Sequence, residues 1–196
     1  GHDPEFLNTR IEAPRLKDPK VAYQDKNGSG MVHYTHFSLA LHKQRRMAIW
    51  VMWDVDGKRL QKISRKGLDF KVDPDIDKKY QIDNALYKNN RLDRGHIARR
   101  ADLTWGSMEE AAKANRDSFY YTNIVPQMDD FNQSARSGIW GKLEDEVYEC
   151  VDIDNLRISV ISGPVFQDDD KIYRKVQIPR EFFKVLIYKE KSVLKC

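Results

Sequence analysis

The chain has 196 residues, of which 40% are hydrophobic, 11% aromatic and 33% charged. That length and composition suit one folded domain and exclude global disorder, and no run of about 18 apolar residues exists to cross a membrane as a helix. The formal charge is a mild +4, but residues 41–100 hold 16 Lys/Arg against 8 Asp/Glu while the rest holds 18 against 22; a local basic excess suits an anionic partner such as phosphate or nucleic acid, or else a solvated charged face.

Taken in chain order, Gly1-His2-Asp3-Pro4-Glu5-Phe6 reads as a cloning remnant, and residues 7–30 as a polar arm ending in Asn27-Gly28-Ser29-Gly30. Residues 31–196 are then expected to form a single domain, excised from a longer chain and cut short at its C-terminal end. Residues 31–41 alternate weakly, Lys43-Gln44-Arg45-Arg46 marks a turn, and Met47 to Val55 is a run of β-formers without Gly or Pro. These predict a hairpin with a basic tip, its second strand buried. Residues 57–92 are charged and irregular, with Asp73-Pro74 as a breaker. Ser107 followed by Glu110 matches a capping box, which predicts a helix through Asp117. Phe119 to Val125 is expected as a strand stopped by Pro126. Ile139, Trp140, Leu143 and Val147 fall at helical spacing. Leu156 to Ser162 predicts a strand ended by Gly163-Pro164, Glu181 to Lys189 another, and Ser192 to Leu194 the start of a further one. Strands early and late with helices between predict an α+β fold with a mainly antiparallel sheet flanked by helices.

Two cysteines, Cys150 and Cys196, without a Cys/His cluster exclude a structural zinc site. Of the five histidines, His2 lies in the presumed remnant, and His33, His36 and His42 lack metal-ligand company. His96 closes Asp93-Arg94-Gly95-His96, a glycine turn that sets an acid, a base and a group titrating near neutrality side by side. A second cluster, Thr122-Asn123-Ile124-Val125-Pro126-Gln127 followed by Asn132-Gln133, is rich in amides. Their oxygens are hard neutral ligands for Mg²⁺ or Ca²⁺, although taken alone the cluster reads first as a turn with Asx-type capping, Asn132 capping a following helix. Trp50, Trp53 and Trp140 sit in strand or helix contexts that favour core packing; Trp105, near a turn, is open to base stacking.

The order Asp-Arg-Gly-His, Thr-Asn-Ile-Val-Pro-Gln, Asn-Gln and Trp140-Gly141-Lys142-Leu143-Glu144 resembles the DNA/RNA non-specific endonucleases, the family of Serratia-type nucleases and endonuclease G, over about His36 to the end. The resemblance implies a ββα-metal (His-Me finger) core and cleavage of DNA and RNA, single- or double-stranded, to 5′-phosphate products. It assigns the general base to His96, within the motif that also supplies Asp93 and Arg94. It assigns the Mg²⁺ ligand to Asn132, with Mn²⁺ as a substitute, and assigns to Glu144 support of the metal's water shell. Asn123 and Gln127 match amides that line the site. Arg65, shortly before Leu68-Asp69-Phe70-Lys71-Val72-Asp73, matches a phosphate-binding arginine, with Lys66 as its neighbouring rival. Arg99 and Arg100, with Lys43, Arg45 and Arg46, are further candidates to track a phosphate backbone. Asp93 or a nearby carbonyl is expected to hold the imidazole in its working tautomer.

One departure from the family pattern concerns spacing. The asparagine and glutamate stand about eight residues apart in better-known members but twelve apart here, with extra residues around Ser134 to Ser137. Inserted into helix, about one turn would carry Glu144 about 6 Å along the axis; looped out before Gly138, it would leave Glu144 in place. Two other functions fit less well: a binding module of the same fold that no longer cuts, and a phosphodiesterase for small diesters. A fused regulatory domain and a homodimer are compatible with the sequence, and so are an exported nuclease and a cytoplasmic defence effector.

Overall fold

A computed structural model describes residues 1–133, 135, 138–154 and 156–196, without the side chains of 151–154. Its centre is a six-stranded sheet in the order β1-β2-β3-β6-β9-β10. The strands are β1 (Val32–Tyr34), β2 (Phe37–His42), β3 (Met47–Asp56), β6 (Arg157–Val165), β9 (Glu181–Glu190) and β10 (Val193–Lys195). Every pairing in it is antiparallel. The basic turn at Lys43–Arg46 joins β2 to β3, as the alternation predicted. The α+β class and the mainly antiparallel sheet are both observed.

Strand β3 is buried along almost its whole length, which explains its unbroken apolar sequence. On one face Val51, Trp53 and Val55 enter the main core with Ile97, Leu103, Tyr121 and Ile124. On the other, Trp50 and Met52 are covered by Ile11, Ala13 and Leu16 of the N-terminal arm and by Met31 just after it. The arm is therefore the second cover of the sheet. The first residues pack as well: the His2 imidazole lies 2.9 Å from the buried Asp54 carboxylate, and Phe6 packs on Trp105.

Strand β4 (Leu92–His96) pairs antiparallel with β5 (Ile124–Met128). Helix α1 (Arg100–Leu103) follows β4, and α2 (Met108–Asp117) precedes β5. The latter starts with the predicted capping box, Ser107 and Glu110 bonding reciprocally. Short helix α3 (Asp129–Asn132) leaves β5 directly, and α4 (Ile139–Asp154) returns across the sheet. Strands β7 (Ile172–Tyr173) and β8 (Val176–Gln177) form a small separate hairpin. Between β3 and β4 the charged segment forms 3₁₀ turns, two of them capped by Asp77 and Asp83. Buried Asp73 anchors this segment, accepting from the Tyr34 hydroxyl.

Two expected strand ends did not form. Strand β5 begins after a 3₁₀ turn at Tyr121–Asn123 and runs through Pro126, opposite Arg94. Because β4–β5 has only two strands, the proline's missing N–H faces no ladder. Strand β6 runs through Gly163 and Pro164 to Val165. A Cβ on Gly163 would stand 2.4 Å from the Ile49 carbonyl oxygen, so this glycine permits close approach of β3 instead of ending the strand.

Candidate active site

Strand alternation sorts the Asp-Arg-Gly-His motif into two faces of β4. Arg94 and His96 share one face. Asp93 and Gly95 share the other, with their pairing partners Gln127 and Val125 of β5. The first face opens into a cleft of about 420 Å³, lined by His96, Arg65, Arg94, Arg99, Arg100 and Phe119 on one side. Asn132, Gln133, Glu144 and Asp145, from α3, its C-terminal end and α4, line the other side.

His96 is held by two phenylalanines. Phe119 meets the ring edge-on at 5.3 Å between centroids, and Phe70 lies 5.5 Å away. Its Nε2 is buried, with no hydrogen-bond partner among the described residues. Burial, and then the positive charges of Arg65 and Arg100, push the imidazole's pKa down to about 3. The ring is therefore neutral at physiological pH and can accept a proton.

Asp93, on the opposite face, does not hold the imidazole. Its Oδ2 accepts from Asn132 Nδ2 at 3.1 Å and from Gln133 Nε2 at 2.6 Å. Tying down the amide nitrogen of Asn132 leaves the amide oxygen as the end available to a cation. Glu144 reaches the same cleft from α4, and its carboxylate pairs with Lys184 at 2.8 Å. Among the described residues no three His, Cys, Asp or Glu side chains cluster as a metal cage. One amide oxygen with a carboxylate nearby has the chemistry that would suit a cation keeping most of its own waters. Helix α3 ends at Asn132 and α4 begins at Ile139; residues 134, 136 and 137, where the expected insertion falls, lie outside the described residues.

The arginines divide by prior commitments. Arg65 rests over the Phe119 ring, 5.7 Å from its centre, and makes no ion pair among the described residues. Arg94 lies over Tyr87 and Phe70 and donates to Asn84. Arg99 donates to the Glu144 carbonyl and the Asp145 carboxylate. Arg100 donates to the Ile63 carbonyl and to Asn115. Lys66 is exposed and outside the cleft, so of the two rivals it is Arg65 that faces His96.

Several expected contacts turn out to be structural. Asn123 is fully buried. Its side chain accepts from the Ala98 N–H at 2.9 Å and donates to the carbonyls of Ala98 and Ser118. It braces the chain leaving His96 and is not among the residues lining the cleft. Gln127 is 1% exposed and packs over Gly95, where a Cβ would stand 2.0 Å from its Oε1. That close approach is what the motif's glycine provides. Arg45 is also buried, paired with Asp170 at 2.9 Å, and Arg46 donates to the Lys175 carbonyl. Trp105 is buried as well, stacked on His36 at 3.6 Å and donating to the Asp54 carbonyl. Phe70, Phe119 and Lys184 were not singled out from sequence; only Phe70, inside the Arg65 stretch, carried a local signal.

Comparison with known proteins gives the family. Residues 19–194 match the family model described as DNA/RNA non-specific endonuclease. An uncharacterized protein of Sinorhizobium fredii, y4fB, is 33% identical over 98% of this chain and 31% of its own length. Human mitochondrial endonuclease G is 31% identical over 77% of this chain and 52% of its own. The chain thus spans about a third to a half of these relatives. A crystal structure of the EndoG/EndoGI complex superposes with a TM-score of 0.68 at 22% identity, covering 93% of this chain and 78% of that one. That likeness extends the ββα-metal fold to this protein. The chain belongs to the DNA/RNA non-specific endonuclease family.

Proposed function

We propose that this protein is a metal-dependent, sugar-non-specific endonuclease that hydrolyses phosphodiester bonds of DNA and RNA, single- or double-stranded. The observation that supports this reading is the convergence of His96, Arg65, Asn132 and Glu144 on one cleft from four separate segments. Neutral His96 takes a proton from water as that water attacks phosphorus in line; the bond to the 3′ oxygen breaks, that oxygen takes a proton from solvent, and a 5′-phosphate and a 3′-hydroxyl are left. An anionic phosphate entering beside Arg65 and Arg100 offsets their charge and so raises the proton affinity of the imidazole. Arg65, without a carboxylate partner among the described residues, places a guanidinium against the charge that builds on the phosphoryl oxygens.

Asn132 would hold a divalent cation through its amide oxygen, Mg²⁺ by the chemistry of the donors with Mn²⁺ as a substitute, and Glu144 would act through water. When bound, such an ion supplies charge stabilisation at the phosphate and at the leaving oxygen. Nothing in this chemistry uses a 2′-hydroxyl, so both sugars are accepted. Sequence preference is weak, because phosphate contacts carry no base information.

The test is cleavage of plasmid DNA and of RNA with Mg²⁺, with EDTA, and by His96→Ala and Asn132→Ala. Wild type cuts both substrates with Mg²⁺ only, and each variant loses at least about 10²-fold in rate, the lower range for removing general-base help. Full activity of His96→Ala would contradict the assignment. Binding without any cleavage would favour a non-cutting module, a reading weakened by the presence of both His96 and Asn132.

A further inference from the structure

Strand β9 carries no motif of the site, yet one of its side chains reaches a residue that lines the cleft. Lys184 pairs with Ser162 in the β6–β9 ladder. Its ammonium ends 2.8 Å from Glu144 Oε1, with the two side chains only 5% and 12% exposed. It lies 4.6 Å from the centre of the Trp140 ring and 5.6 Å from that of Trp53. The lysine therefore joins an indole of central strand β3 to an indole of α4, and meets the carboxylate one turn beyond Trp140 on the same helix face.

For stability alone this is a poor choice. Burying both charges has a desolvation cost, and an apolar pair of the same volume is often as stable or more so. What the pair supplies is position. Asn132 and Glu144 sit on different helices, twelve positions apart in sequence, so contacts from outside α4 bear on the glutamate's place. Two cations from elsewhere in the fold fix it. Arg99 grips the Glu144 carbonyl at 2.6 Å and the neighbouring Asp145 carboxylate. Lys184 grips the Glu144 carboxylate itself, by one oxygen.

We propose that Lys184 is a positioning residue for Glu144: it anchors one carboxylate oxygen to the central sheet and thereby aims the other at the cleft. This rests on the role given to Glu144 above. Lys184 does not touch substrate. It acts through Glu144, and its effect belongs in kcat and in cation affinity, with nucleic-acid binding left alone.

The experiment compares Lys184→Met, Lys184→Arg, Glu144→Gln and the double variant Glu144→Gln/Lys184→Met in the full chain. Three readouts are taken: plasmid-cleavage kinetics, Mn²⁺ affinity by EPR without substrate, and thermal unfolding. We expect K184M to lose about 10–100-fold in kcat or in Mn²⁺ affinity, the range for groups that orient metal ligands, with KM within about twofold. K184R should recover most of the loss, and the double variant should be no slower than E144Q. K184Q serves the same comparison if K184M does not fold. Wild-type behaviour of K184M beside a slow E144Q would overturn this proposal alone. A double variant slower than E144Q by the full K184M factor would also overturn it, since Lys184 would then act independently. Full activity of E144Q would overturn the role of Glu144 itself, and this proposal with it.

Discussion

Asp93 Oδ2 lies 3.1 Å from Asn132 Nδ2, across 39 positions of sequence. The acid of the Asp-Arg-Gly-His motif thus serves the candidate ligand amide, while the histidine of the same motif faces the other side of the strand. The alternation of β4 enforces this division, because residues an odd number apart point to opposite faces. Removing the carboxylate should free the Asn132 amide to rotate. Asp93→Ala is expected to weaken Mn²⁺ binding and cleavage about 10–100-fold while the neutral His96 keeps its place. Isothermal titration with Mn²⁺, paired with the cleavage rate, checks both parts. An unchanged affinity would show that Asn132 does not depend on this anchor.

Arg65 and Lys66 are adjacent in sequence but differ in placement. Arg65→Ala is expected to lower kcat by about 10²-fold and to reduce the slope of log affinity against log salt by about 1. Lys66→Ala, at an exposed position outside the cleft, should change the rate by less than about threefold. Filter binding of a catalytically silent background at several salt concentrations, with kinetics on the single variants, separates them. Equal losses in the two variants would count against the assignment.

Asn123 makes three hydrogen bonds in a fully buried setting. Asn123→Ala would leave the buried Ala98 N–H and two carbonyls short of partners, at a cost of roughly 2–4 kcal/mol in unfolding free energy. KM for nucleic acid should not move. Urea unfolding and steady-state kinetics measure the two quantities. A large KM change at unaltered stability would restore Asn123 to the substrate.

Asp102 gives a pH signature of stability. Burial, opposed by the charges of Lys184 and Arg99, raises its pKa from 3.8 to about 6. Its folded state therefore binds the proton more tightly than its unfolded state. The sign follows: the carboxyl favours folding most below about pH 4, and that contribution is lost as pH rises through 6 and is then constant. The shift corresponds to roughly 2–3 kcal/mol. Asp102→Asn is expected to gain stability relative to wild type between pH 4 and pH 7 by about that amount. Denaturant melts of both proteins across this range test it; a difference that stays flat or runs the other way would refute it.

Much of the fold was legible locally. The β2–β3 hairpin, the capped start of α2 and the buried run of β3 follow from alternation, capping chemistry and apolar content, which act between near neighbours. The identity and order of His96, Asn132 and Glu144 were likewise written in the motif series. The fates of Pro126 and Gly163-Pro164 were not, because a proline stops a strand only where a neighbour needs its N–H, and a neighbour is a property of the sheet.

The sequence by itself determined which chemical groups are present and in what order, and through them the family and the class of fold. Only the tertiary structure decided who meets whom. It sent Asp93 to an amide instead of an imidazole, took Asn123, Gln127 and Arg45 inside, and left Arg65 without a carboxylate partner among the described residues. It also brought Lys184 to Glu144 from 40 residues away. The physical reason is that a charge or an amide has no intrinsic role. Its role is set by the partner and the dielectric around it, and both come from segments far away in the chain.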